Sequence, residues 1–79
     1  MRVINLVTYR KRHKALVCTN TERILHNLGE LNTRDIIFIL EREHNIQCVP
    51  HSFHQLVRGH PRIEKVKTIS GTNYRLGNV

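Results

Sequence analysis

The chain is poor in several residue types that mark common protein classes. Its 79 residues include no tryptophan, two cysteines, and six acidic residues against 13 lysines and arginines. Cys18 and Cys48 are too few for a disulfide framework, so we expect buried thiols in a reducing compartment. No apolar run reaches the ~18 residues of a membrane helix, and the first residues lack a signal-peptide core and cleavage site. We therefore expect a cytoplasmic protein with no membrane partner.

The shortage of acidic residues leaves a net charge of +7 and a pI of about 10.3. Such a positive field attracts polyanions, of which nucleic acid is the commonest, with an anionic membrane surface or no specific partner as alternatives. A chain of 79 residues allows one domain with little room for a catalytic cleft beside its core. Dimerisation would bury further surface.

Patterns of catalytic and metal-binding residues are also missing. The acidic residues are scattered, and no glycine-rich phosphate loop is present. Cys48, His51 and His54 are spaced by three, with His44 nearby, but the paired cysteines of structural zinc sites are absent. Pro50 also interrupts the helix that would align them. We predict no enzyme activity, no cofactor and no bound metal.

Helix signals divide the chain into an N-terminal arm, residues 1–18, and a domain, residues 19–79. In the arm, β-branched residues suggest two strands around a basic turn, with a helix as the alternative. Thr19 and Glu22 have the spacing of a capping box, which predicts a first helix from Thr19 to Glu30 that ends at Gly29.

The second predicted helix runs from Arg34 to His44, with Asn32 or Thr33 as its N-cap. This helix is apolar on nearly all sides, which is typical of a helix covered on two faces. We therefore expect the N-terminal arm or a second subunit to cover Phe38.

A third helix and a hairpin complete the predicted elements. Pro50 begins a helix that extends to Arg58. After it, apolar residues alternate with polar ones, and Ser70-Gly71-Thr72 provides a turn. A three-residue loop sets Val66 opposite Leu76 and Thr68 opposite Tyr74, which puts the apolar side chains on one face. A shorter loop would place lysines opposite Tyr74 and Leu76.

This order of elements resembles the winged-helix family over residues 19–77. Ile24 to Ile36 is similar to the family's first-helix end and second-helix start, Val49 to Val57 to its recognition helix, and Lys65 to Leu76 to its wing. The resemblance implies an α+β fold, a three-helix bundle with a C-terminal two-stranded hairpin. It also implies that the third helix enters the DNA major groove while the wing touches the backbone or minor groove.

The third helix has a polar face of its own. With its apolar residues turned inward, His51, Gln55 and Arg58 fall at i, i+4 and i+7 on the outside. Glutamine can bond bidentately to adenine and arginine to guanine, whereas an ordinary solvated face is the alternative. Ser52 and His54 flank these residues and are candidates for phosphate contacts.

Basic residues of the hairpin and the arm are further candidates for phosphate contacts, which release counterions and give salt-dependent affinity. Protection of an edge strand, or a solvated turn, would explain the same charges. The candidates are Arg62, Lys65, Lys67 and Arg75 in the hairpin, and Arg10, Lys11, Arg12 and Lys14 in the arm.

Together these features predict a transcriptional regulator that binds double-stranded DNA sequence-specifically as a homodimer. So small a regulator suits a phage, a virus or a mobile element. The alternative is a winged-helix module that docks on transcription or replication machinery through Phe38, Ile39 and Ile69. RNA binding is a third possibility, weakened by the scarcity of aromatic residues.

Overall fold

The computed structural model describes residues 6–77, so the expectations for residues 1–5 and 78–79 lie outside it. The described chain is α+β, and its order of elements is compatible with a winged-helix arrangement. No helix within residues 6–77 is long and apolar enough to cross a membrane. The elements are α1 (Leu6–Leu28), β1 (Leu31–Asn32), α2 (Thr33–His44), α3 (Pro50–Val57), β2 (Ile63–Thr68) and β3 (Gly71–Leu76).

Helix α1 begins much earlier than its capping signal predicts. Thr19 lies inside the helix, so the predicted capping box and the two predicted strands of the arm are wrong for residues 6–18. The helix continues across the predicted boundary because Val17 and Cys18 are buried in the same stripe as Thr21. Burial of these side chains outweighs the preference of β-branched residues for strands.

Local signals do fix the ends of α1 and α2. Gly29 adopts a left-handed φ of 81° after α1, and its N–H donates to the Leu25 carbonyl over 2.8 Å. The Asn32 side chain accepts from the Asp35 N–H at 2.8 Å and caps α2. Asn45, with φ 53°, ends α2. The predicted bounds of α2 are therefore confirmed to within one residue.

The core lies between the three helices and the inner face of the sheet. Phe53 is fully buried, and its ring meets Tyr74 edge-to-face, with 5.3 Å between centroids. Phe38 is 58% exposed, so α1 does not cover it as predicted; the Arg42 guanidinium lies 5.8 Å from its ring centroid. The buried apolar residues are Val17, Cys18, Ile24, Leu25, Ile36, Leu40, Ile46, Phe53, Val57, Ile63 and Tyr74.

The antiparallel sheet has the strand order β1-β3-β2. Its first strand was not predicted, because two residues are too few to show an alternating pattern. Leu31 pairs with Tyr74 and Asn32 with Asn73. This pairing joins the start of α2 to the hairpin.

Strands β2 and β3 form the hairpin, called the wing below. The predicted register, with Val66 opposite Leu76 and Thr68 opposite Tyr74, is wrong. The loop is the two residues Ile69-Ser70, as in the shorter-loop alternative, but that alternative paired Lys67 with Tyr74 and Lys65 with Leu76, whereas Lys65 lies opposite Tyr74 and Ile63 opposite Leu76. The pairs that contact the core are Ile63 with Leu76 and Lys65 with Tyr74. Ile63 is buried and Val66 only half-buried, so Ile63 is the inward residue of β2.

Candidate nucleic-acid interface

Helix α3 ends at Val57, one residue before the predicted end. The exposed polar ridge, defined as His51, Gln55 and Arg58, therefore consists of two helical residues and the residue that follows the helix. All three residues are exposed, while Phe53 and Val57 on the opposite side of the helix are buried. Gln55 Nε2 and His51 Nε2 lie 3.3 Å apart, one turn from each other. The predicted exposure of the ridge is therefore confirmed.

The ends of α3 follow from its sequence. Pro50 occupies the first turn, where its missing N–H costs nothing. Arg58 leaves the helix in an extended conformation, and Gly59 follows with a φ of 76°. The eight residues of α3 span about 12 Å at 1.5 Å per residue. The diameter of a helix with its side chains, about 10–12 Å, suits the major groove, which is about 12 Å wide.

His54 connects α3 to the wing. Its Nδ1 shares a hydrogen bond with the Tyr74 hydroxyl on β3. Burial lowers the pKa of His54, and the charge of Lys65 and the nearby His51 lower it further. Burial raises the pKa of Tyr74. Both effects favour a neutral imidazole beside a neutral phenol, with the remaining ring edge of His54 in the space between α3 and the wing.

A cleft of about 720 Å³ separates α3 from the wing. Lys65 lies opposite Tyr74 and therefore on the inner side of the hairpin. Lys67 is two residues further along β2 and shares that side. Both lysines are exposed. Residues that line the cleft include His51, His54, Gln55, Arg58, Lys65 and Tyr74.

The outer side of the wing carries an ion-paired arginine instead of the lysines of the inner side. Arg75 pairs with Glu64 through Nη2 and Oε1 at 3.1 Å and through Nε and Oε2 at 3.3 Å. Glu30 is 4.0 Å from the same guanidinium. The hydrogen bond and the charge of Glu64 raise the pKa of Arg75. Arg75 is therefore already paired with carboxylates. It lies on the opposite side of the hairpin from Lys65.

Arg62 is also separated from the ridge. It lines a different cleft, of about 350 Å³, together with Glu22 and His26 of α1. Glu22 lies there 3.7 Å from His60 Nε2. The structure therefore does not bring Arg62 together with the lysines of the wing.

Helix α1 packs against both α3 and β3. The Cys18 thiol donates to the Leu56 carbonyl of α3 over 3.4 Å. Lys14 and Lys11 precede Cys18 by one and two turns and share its face of α1. Ser52, half-buried, lies one turn before Leu56 on the same side of α3. Lys11 and Lys14 therefore lie on the face of α1 that Cys18 turns towards α3.

The other basic residues of α1 are oriented differently. Arg12 lines a cleft of about 560 Å³ with Tyr9, Leu16 and Ile46, on the side of α1 away from Cys18. Helical periodicity sets Arg10 between the two faces. The four basic residues predicted to act as one arm are therefore divided between two faces of α1. Lys11 and Lys14 are the pair on the face nearer to α3.

Few carboxylates border α3: Glu64 lines the cleft beside the wing, and Glu30 and Asp35 line a second cleft with Pro50 and His54. All six acidic residues of the chain fall within residues 6–77. None belongs to α3 or to the part of α1 before Glu22. Glu64 borders the cleft, but its carboxylate is paired with Arg75. The six are Glu22, Glu30, Asp35, Glu41, Glu43 and Glu64.

The contact of Tyr74 with His54 was not predicted. The sequence indicated Tyr74 only as an apolar residue of the hairpin, and the contact depends on a register that the local pattern does not fix. The cysteines are free thiols whose pKa burial raises. Within residues 6–77, no three histidine, cysteine or carboxylate side chains group to hold a metal ion.

Comparisons with known proteins add no relative. No protein-family model, no curated protein and no solved structure matches the chain. Its function is therefore inferred from the geometry and charge of α3, the wing and α1.

Proposed function

We propose that the protein binds double-stranded DNA with sequence preference and regulates transcription in the cytoplasm. Helix α3 enters the major groove, and the inner side of the wing contacts the backbone. One observation carries this proposal: the ridge of His51, Gln55 and Arg58 is exposed beside the lysine-bearing inner side of the wing, and α3 itself carries no carboxylate.

The ridge provides the groups that read bases. Gln55 can bond bidentately to adenine and Arg58 to guanine, and each such pair discriminates against a wrong base by about 1–3 kcal/mol. Both side chains are exposed, and neither forms an ion pair among the described residues. The Arg58 donors are therefore available to a base edge, and Gln55 Nε2 would exchange its exposed 3.3 Å contact with His51 for one.

The wing and α1 provide the groups that hold phosphates. Lys65 and Lys67 lie on the inner side of the wing, and Lys11 and Lys14 on the face of α1 that Cys18 turns towards α3. Phosphate strands border the major groove on both sides, so cations on two elements beside α3 suit a helix inserted between them. Each phosphate neutralised releases counterions, which makes the affinity depend on salt.

Selection from random duplexes at physiological salt tests the proposal. We expect one sequence family to be enriched, and a palindrome would extend the proposal to a homodimer. A Gln55→Ala, Arg58→Ala variant should lose that preference, whereas the matched Gln47→Ala, Arg42→Ala variant, away from the ridge, should keep it. Enrichment of nothing, or of the same family by the ridge variant, would contradict base reading by α3.

A charge-matched pair of variants tests which side of the wing contacts DNA. Lys67→Gln and Arg75→Gln each remove one positive charge from the hairpin. We expect Lys67→Gln to reduce the slope of log affinity against log salt by about 0.9, the value for one phosphate contact. Arg75→Gln should leave the slope unchanged because Arg75 is paired with Glu64. Equal effects would show that net charge alone sets the affinity.

Exposed Phe38 favours a second candidate, docking on a protein of the transcription or replication machinery. Ile39, a predicted contact for that role, is half-buried against the core. Apolar docking should hardly change between low and moderate salt, whereas DNA binding should fall steeply. The affinity for a DNA duplex and the affinity for a candidate protein partner, each measured from low to moderate salt, separate the two functions.

A further inference from the structure

The first half of α1 carries an exposed stripe, called the α1 stripe below and defined as Tyr9, His13 and Leu16. Helical periodicity puts these side chains, at i, i+4 and i+7, on one face. Tyr9 is 58% and Leu16 53% exposed, and the rings of Tyr9 and His13 lie nearly parallel with 6.1 Å between their centroids. The stripe forms one wall of the cleft of about 560 Å³ whose other wall is Asn45-Ile46-Gln47. These exposed residues therefore line a single groove.

Packing within the chain does not account for the helical state of this segment. From Tyr9 to Leu16 no side chain is buried, and the buried stripe of α1 begins at Val17. Most helical stability in proteins comes from the packing of an amphipathic face. Arg10 and Lys14 are also like charges at i and i+4, which destabilises a helix. The segment would therefore gain from a partner that covers the α1 stripe and neutralises the charge beside it.

The charges that border the α1 stripe have one sign. Arg12 lines the cleft, and helical periodicity sets Arg10 on the other side of the stripe. Within the described part of α1 no carboxylate precedes Glu22, and none lines this cleft. An occupant of the cleft therefore meets an apolar strip between two guanidinium groups. Guanidinium groups form their strongest hydrogen bonds with anionic oxygens, often two at once with a carboxylate.

Other occupants fit this surface less well than an acidic helix does. A second copy of the chain would bring its own arginines to the same stripe, where like charges repel. A phosphate backbone would pair with the arginines but offers no apolar surface to Tyr9 and Leu16. The acyl chains of a bilayer would cover the amides of Asn45 and Gln47 at the edge of the cleft, which costs free energy because these amides would lose water without a new hydrogen bond.

We propose that the α1 stripe binds an acidic amphipathic helix of another protein. The apolar side chains of that helix, spaced at i, i+3 or i+4, and i+7, lie in the cleft on Tyr9 and Leu16, as in other complexes of a helix with a groove. Its aspartates or glutamates pair with Arg10 and Arg12, one on each side of the stripe. The partner thus covers the exposed apolar surface and removes the repulsion between the basic residues of α1.

The α1 stripe is separate from the proposed DNA interface. Arg12, Tyr9 and Leu16 lie on the side of α1 away from Cys18, whereas Lys14 shares the Cys18 side, next to α3. A helix in the cleft and a duplex on α3 would therefore occupy different faces of α1. The partner proposal does not depend on DNA binding, and either one can fail alone.

Selection from a displayed library of random helical peptides identifies the partner chemistry. The intact protein is the bait at physiological salt, and the peptides are about 20 residues long so that they can form helices. We expect enrichment of apolar residues at helical spacing with glutamate or aspartate beside them. Leu16→Ser should weaken binding of an enriched peptide by more than about tenfold. Leu28→Ser, which changes the other exposed leucine of α1, should leave it unchanged.

Charge reversal separates a docked helix from general attraction to a basic protein. Arg12→Glu and Lys14→Glu lower the net charge equally, on different faces of α1. We expect Arg12→Glu to select peptides in which a lysine replaces one carboxylate of the pattern, and Lys14→Glu to select the wild-type pattern. Equal effects of the two variants would overturn the proposal, because net charge alone would then explain the binding. Circular dichroism confirms that each variant keeps its helix content.

The remaining outcomes assign the α1 stripe to other partners or to none. Enrichment of nothing, or of peptides without acidic residues, overturns the acidic helix. Self-association of the wild type that Leu16→Ser abolishes, seen by analytical ultracentrifugation, would overturn it in favour of a second copy. Cosedimentation with vesicles that contain phosphatidylglycerol, lost in the same variant, would overturn it in favour of a membrane surface. Failure of the wild type to bind any duplex leaves it standing.

Discussion

His54 on α3 and Tyr74 on β3 share a hydrogen bond across 20 residues of sequence. The Tyr74 ring also meets Phe53 edge-to-face, so one side chain contacts two neighbouring residues of α3. Because Lys65 lies opposite Tyr74, this contact sets the distance between the ridge and the lysines of the wing. The geometry of the proposed interface therefore depends on Tyr74 more than on any residue that would touch DNA.

The first prediction concerns the Tyr74 hydroxyl. Tyr74→Phe keeps the packed ring but removes the partner of His54 Nδ1. We expect the free energy of unfolding to fall by about 1 kcal/mol, the usual contribution of one intramolecular hydrogen bond. Urea unfolding followed by circular dichroism measures the change.

Tyr9→Phe is the matched control for Tyr74→Phe. Tyr9 is 58% exposed on α1, so loss of its hydroxyl should change the free energy of unfolding by less than about 0.5 kcal/mol. A Tyr74→Phe protein as stable as the wild type would show that the hydroxyl contact with His54 does not hold the wing.

The second prediction concerns pH. The pKa of His54 is lowered in the folded protein by burial, by Lys65 and by His51. Between that lowered pKa and the ordinary histidine value of about 6.5, the unfolded chain binds more protons at this residue than the folded one. His54 therefore makes the free energy of unfolding increase with pH in this window. Above the window its contribution is constant.

His54→Gln isolates this contribution from that of the other histidines. The rise of the unfolding midpoint with pH below about 6.5 should be smaller in His54→Gln than in the wild type. Thermal unfolding across that range provides the comparison. Parallel curves for the two proteins would show that His54 titrates alike in the folded and unfolded chain.

The extent of α1 shows why part of the fold escaped the sequence analysis. Thr19 and Glu22 have capping-box spacing, yet the same spacing occurs in the middle of a helix when the preceding residues are also helical. Val17 and Cys18 decide the outcome because they are buried against the rest of the fold, and Cys18 bonds to Leu56 of α3. Such a contact between residues 38 apart is invisible to a local pattern.

The ridge was predictable, whereas the wing was predictable only in outline. Phe53 and Val57 define the buried side of α3, so helical periodicity alone placed Gln55 on the outside. In the wing, only the base contacts the core, and no residue of the outer half is buried. The apolar character of Val66 predicts it as the inward residue, but Ile63 occupies that role. The inner position of Lys65 and the outer position of Arg75 follow from that register.

The third prediction compares two phenylalanines. Phe53 is fully buried and packs on Tyr74, whereas Phe38 is 58% exposed. Phe53→Ala should lower the free energy of unfolding by about 3–5 kcal/mol, enough to unfold much of so small a domain. Phe38→Ala should change it by less than about 1 kcal/mol. Urea titration of both variants tests the difference, and similar losses would contradict the placement of the core.

The fourth prediction concerns the two faces of α1. Lys14 lies on the Cys18 side, beside α3, whereas Arg12 lies with Tyr9 and Leu16 on the other side. The Lys14→Gln and Arg12→Gln variants each remove one positive charge, from positions two residues apart on the same helix. If α1 holds a phosphate beside α3, Lys14→Gln should reduce the slope of log affinity against log salt by about 0.9 and Arg12→Gln should leave it unchanged.

Fluorescence anisotropy of a labelled duplex, titrated at several salt concentrations, gives both slopes. The comparison is sharp because the net charge falls equally in the two variants, so only the position of the lost charge differs. A larger effect of Arg12→Gln would place DNA on the Tyr9 side of α1, and therefore away from the ridge. Such a result would contradict the proposed docking of α3, since a duplex on that side of α1 cannot also receive Gln55 and Arg58 in its major groove.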